Sequence, residues 1–150
     1  MNRWKLTMVL LLILSVCATC AHMGVNPRSP EVLRKRVQEL WEAKKRGDWG
    51  EVYDMTTSAY RSKVTKSSFL SSPKINTLGF TVENIKILEP GTEALVIVKA
   101  TLDMMGRPFP MQIKEHWLWE EEDEEWRLNI VPTPFQSLFQ KPLPAKKSEK

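Results

Sequence analysis

From Thr77 to Val131 the apolar and polar positions alternate. Ala94, Val96, Val98, Ala100 and Leu102 share one parity. Met111, Ile113, Glu115, Trp117 and Trp119 share another. A period of two is that of a strand with one face in a core. The stretch therefore predicts four consecutive strands in an antiparallel sheet. The first changes parity, with Phe80 and Val82 on one face and Ile85 and Ile87 on the other. A bulge near Glu83-Asn84 reconciles them. Pro90-Gly91 and Met105-Gly106-Arg107-Pro108 read as turns, and the acidic run from Glu120 to Glu125 as a solvated hairpin tip. The last strand returns Trp126, Leu128 and Ile130 to the core face. In the second strand Leu95 and Ile97 make the other face apolar too. That suits a central strand, or one whose outer face meets a second subunit in a homodimer.

Before the sheet the period lengthens. Ser29-Pro30-Glu31 is a helix start: a hydroxyl N-cap, proline at the first helical position, an acid in the first turn. Val32, Leu33, Val37, Leu40, Trp41 and Lys44 form one stripe at three- and four-residue steps. Gly47 ends the helix. Lys44, Lys45 and Arg46 read as a solvated basic end, where a helix favours cations. Asp48 caps a second helix carrying Trp49, Val52, Tyr53 and Met55. Tyr60-Arg61 reads as a further turn. Thr65 caps a third short helix with Phe69 and Leu70. The fold class is α+β, with three N-terminal helices packed on about four strands.

The two ends differ from this body. Arg3 and Lys5 precede the apolar run Leu6 to Val16, and Ala18-Thr19-Cys20-Ala21 follows. That is the layout of an export signal over positions 1–21, with positions 22–29 as a linker. Cys17 and Cys20 are the only cysteines. Cys20 is the candidate for lipidation after cleavage, which would anchor the protein to a membrane. Cys17 and plain cleavage near Ala18–Ala21 stay open as alternatives, as does an uncleaved anchor. A body without a cysteine pair suits a bacterial periplasm or cell envelope. Positions 30–134 read as the domain. Positions 135–150, with Pro142, Pro144 and a lysine-rich end, read as a largely disordered tail on which Phe135, Leu138 and Phe139 are apolar enough to dock.

Composition narrows the function classes. Of a net charge of +4, Arg3 and Lys5 belong to the leader, and no single element carries a basic stripe. Nucleic acid is not expected as a partner. No catalytic or phosphate-binding glycine motif occurs. The histidines are His22, beside the cleavage site, and His116, on the polar parity of its strand and read as a surface residue. No cofactor and no metal are expected. The chemistry that remains is local: Glu115 shares its face with Trp117 and Trp119, and Tyr53 and Tyr60 come from elements expected to cover that face. These five are the candidate ligand-binding residues. If Glu115 points inward, its charge needs a cation or several donors, or the group is pushed neutral. The alternative is pairing with Lys99 or Arg127 on a solvated face.

The order of elements resembles the nuclear transport factor 2-like (SnoaL-like) superfamily over about Pro30 to Val131. The likeness lies in a long amphipathic helix, Gly47-Asp48-Trp49 with Val52-Tyr53, a small helix, and strands ending in Glu125-Trp126-Arg127-Leu128. The resemblance implies a cone-like, strongly curved sheet with a cavity at its wide end. The isomerase pattern of acid and tyrosine does not carry over onto this chain. The expected function is an exported, non-catalytic domain binding a small apolar or amphipathic ligand, or another protein. The alternative is an enzyme doing acid–base chemistry on a small apolar substrate.

Overall fold

The computed structural model describes residues 26–130. The leader with Cys17 and Cys20, and the tail with Phe135, Leu138 and Phe139, lie outside the described residues.

Helix α1 (Pro30–Arg46) begins where the Ser29 hydroxyl accepts the Val32 N–H. It ends where Gly47 turns left-handed at φ 75°, with its N–H on the last carbonyls. Asp48, Thr57 and Thr65 cap α2 (Trp49–Asp54), α3 (Ser58–Arg61) and α4 (Lys66–Ser71) in the same way. The turn expected at Tyr60-Arg61 is thus a helix in its own right, making four helices among the described residues rather than three.

Strands β1 (Thr77–Leu88), β2 (Glu93–Met104), β3 (Arg107–Glu120) and β4 (Glu125–Leu128) form one open sheet in chain order, every pair antiparallel. The register of β1 on β2 shifts between Val82 and Asn84. This is the bulge that the parity change requires, and it keeps Phe80, Val82, Ile85 and Ile87 all against the core. The core joins Leu33, Val37, Leu40 and Trp41 of α1 to Val96, Val98, Trp117 and Trp126 of the sheet. Leu95 and Ile97 lie half-buried on the opposite face.

Two features go beyond the expected pattern. The acidic tip is an exposed turn as expected, but ion pairs also tie it down: Glu121 pairs with Arg28 at 2.5 Å, Glu125 with Arg36 at 2.7 Å and Asp123 with Arg127 at 2.5 Å. Glu120 accepts from the Ser58 N–H and hydroxyl. Arg28, Arg36 and Ser58 come from positions remote in the chain, which the local run of like charge does not disclose. The second is the far end of β3. Met111 keeps its inward parity but runs past the helices, so it is 38% exposed and Phe109 is 55% exposed.

β4 is short and pairs only with residues Trp117 to Glu120. Asn129 adds one rung, its N–H donating to the His116 carbonyl at 2.8 Å. On the other edge of β4, Leu128 exchanges bonds with Met55 and Thr57. This ties the loop after α2 to the sheet.

Candidate functional site

The cleft that matters opens where β4 stops. It has a volume of about 480 Å³. Trp49, Val52, Phe69 and Ile130 make its apolar wall. α2 brings the first two because Asp48 caps it directly after the Gly47 turn, aiming Trp49 and Val52 back at the sheet. The polar side is Lys44, Glu115, His116 and Asn129, with Lys74 and Lys114 at the rim.

Glu115 is the centre of the polar side. Strict alternation on β3 turns it inward, opposite Val96, and it is 6% exposed. A carboxylate there demands compensation. The Lys44 ammonium lies 3.0 Å from one oxygen, and the Trp117 indole N–H donates to the other at 3.1 Å. Lys44 also lies over the Trp41 ring, 3.9 Å from its centroid. The partner is therefore neither Lys99 nor Arg127. It is a lysine on the apolar stripe of α1, whose last turn overhangs β3. Lys44 accordingly leaves the solvated basic end expected of it, while Lys45 and Arg46 remain exposed.

His116 keeps the outward parity expected of it and is partly exposed. Its Nε2 lies 2.9 Å from a Glu93 carboxylate oxygen, and its Nδ1 lies 3.2 Å from the Asn129 side-chain nitrogen. Lys74 donates to the carbonyls of Phe69 and Ser72, fastening the end of α4 over the cleft. Burial pushes its ammonium below the usual lysine value.

Of the five residues expected to bind a ligand, only Glu115 lines this cleft. Tyr53 is buried, and its phenol donates to the Val64 carbonyl at 2.7 Å. Tyr60 packs edge-on against Phe69, 6.3 Å between ring centroids. Burial, then the neighbouring Tyr53, raise the Tyr60 phenol above its ordinary value. Trp117 is fully buried and supports Glu115 from within the core. Trp119 faces a second, smaller hollow of about 250 Å³ beside Arg36 and Glu125, and it packs edge-on against Trp126. The aromatic residues that do meet the cleft are Trp49 and Phe69, whose helical spacing marked them only as core. Asn129 and Lys74 carried no sequence signal, because each is placed by the tertiary ending of an element.

Comparison with protein-family models and with curated proteins finds no match for this chain.

Proposed function

We propose that the protein is an exported, non-catalytic binder of a small amphipathic molecule, seated in the cleft at the end of β4. The observation that carries this is the pairing of one apolar wall, Trp49, Val52, Phe69 and Ile130, with a polar side in a cleft of about 480 Å³. Small-molecule sites combine such a wall with a few placed polar groups. Lys44, Lys74 and Lys114 outnumber Glu115 there, so the polar end of the ligand carries negative charge. The acid–base alternative needs a carboxyl group that is free to exchange a proton. Both oxygens of Glu115 already have partners, and the Tyr53 phenol is spent on Val64. Membership of the nuclear transport factor 2-like superfamily rests on the order of elements around Gly47-Asp48-Trp49 and Glu125–Leu128. The export reading, to a bacterial envelope with a lipid on Cys20, rests on the leader residues.

A titration with 1-anilinonaphthalene-8-sulfonate, an apolar body with one anionic group, tests the cleft. Saturable binding at one site per chain is expected. Trp49→Ala and Lys114→Glu should each weaken it by about tenfold, the equivalent of about 1.4 kcal/mol. Equal binding by both variants and the parent protein would overturn the proposal.

A further inference from the structure

Three lysines meet the cleft, and their surroundings differ. Lys44 lies 3.0 Å from a Glu115 oxygen, so its charge is already matched. Lys114 is exposed at the rim, on the outward parity of β3. Lys74 follows Pro73, just past the end of α4. Its ammonium lies 4.4 Å from the Phe69 ring centroid and 5.6 Å from that of Trp49, which form the aromatic part of the apolar wall.

The oxygens around Lys74 are all neutral. Its ammonium donates to the Phe69 carbonyl, to the Ser72 carbonyl at 2.8 Å and to the Ser72 hydroxyl at 2.6 Å. An ammonium has three N–H donors, so each is used while the charge stays unmatched. None of the ion pairs among the described residues involves Lys74. Outside those residues the only acidic side chain is Glu149. Burial lowers the Lys74 ammonium below the usual lysine value, and a carboxylate beside it would act the other way. Such a cation gains more from an anion than from another neutral acceptor. One of its acceptors can give way. The Ser72 hydroxyl now donates to the Phe69 carbonyl at 2.8 Å, and by rotating it can donate to an anion instead.

We propose that Lys74 and Ser72 seat the anionic group of the ligand, and that the ligand is an apolar body carrying a single such group, held against Phe69 and Trp49. The inference rests on the binding reading above and assigns the charge selectivity of that site to one residue. Lys44 and Glu115 cancel each other on the far side, so a second negative group finds no matching charge beside them. The end of α4 holds the Lys74 ammonium in place, so little side-chain freedom is lost on binding.

Two fluorescent probes of like shape separate charge from shape in the full-length protein: 1-anilinonaphthalene-8-sulfonate, and 1-anilinonaphthalene without the sulfonate. The measured quantity is the ratio of their dissociation constants. Lys74→Gln removes the charge and keeps N–H donors, and it should reduce the preference for the sulfonate about tenfold. Lys74→Arg keeps the charge and should hold the preference to within about threefold of the parent protein. A purely structural role at the end of α4 would weaken both probes alike and leave the ratio unmoved, which overturns the proposal. A ratio that follows Lys114→Gln and ignores Lys74→Gln also overturns it, by placing the anion at the rim. If neither probe binds the parent protein saturably, the cleft reading itself fails and this inference with it. If both bind and the ratio ignores Lys74, only the role of Lys74 fails.

Discussion

Lys44 and Glu115 show how much one pair of side chains can carry. The ammonium is mostly covered, the carboxylate almost wholly, and Trp117 holds the oxygen that Lys44 does not. Lys44→Met strands a buried charge and should cost about 3–5 kcal/mol. Glu115→Gln keeps an acceptor for the Trp117 N–H, so adding it to Lys44→Met should recover most of that loss. Urea denaturation of the two single variants and the double variant measures the coupling. A loss below about 1 kcal/mol in Lys44→Met would mean that water reaches the pair freely. Tyr60 gives a second test, through pH. Its folded phenol titrates above the ordinary value, so near pH 10 the unfolded chain ionises first. The wild-type protein should therefore lose stability as pH rises from about 10 toward the folded value, and Tyr60→Phe should lose less. Melting temperatures from pH 8 to 11 decide it, and parallel curves would refute it. The inward direction of Glu115 was legible in the alternation of β3. Its partner was not, because nothing local relates position 44 to position 115.

At the scale of elements the packing depends on two tryptophans. Trp41 stacks on Phe80, and Trp126 meets Trp119 edge-on, with both side chains almost fully buried. Trp41→Ala and Trp126→Ala should each cost about 3–5 kcal/mol. That is a large part of the 5–15 kcal/mol typical of a small domain. Chemical denaturation checks both, and a loss under about 1 kcal/mol at Trp126 would contradict its place in the core. The join between α1 and α2 depends on backbone instead. A Cβ added at Gly47 meets nothing within 4 Å, so the effect of Gly47→Ala comes from its positive φ alone. It should cost about 1–2 kcal/mol. A neutral outcome in the same denaturation assay would mean that the turn relaxes. The caps, the bulge and the core stripe were all legible, since each follows from residues within a few positions of one another. The exposed acidic tip was legible, but its ion pairs with Arg28 and Arg36 were not, because those two residues reach it only through folding.

At the scale of the whole molecule the proposal to test is export. If the protein is exported and lipidated on Cys20, Cys20→Ser should move it from the membrane fraction to the soluble fraction after expression in a bacterial host. Release by Cys17→Ser instead would reassign the lipidated residue, and release by neither would leave cleavage or an uncleaved anchor.

By itself the sequence determined the class of fold, the order of helices and strands, and most of the core. Period and capping are local, and a strand or amphipathic helix carries its buried face in its own spacing. Only the tertiary structure decided the site. The cleft exists because β4 ends early, α4 folds over the gap, and the last turn of α1 delivers Lys44 to Glu115. Tyr53, Tyr60, Trp117 and Trp119, which alternation and helical spacing had grouped with Glu115 on or over one sheet face, do not line the cleft. Side chains that share a face can still be separated by where an element stops, and that ending is fixed by contacts distant in the chain.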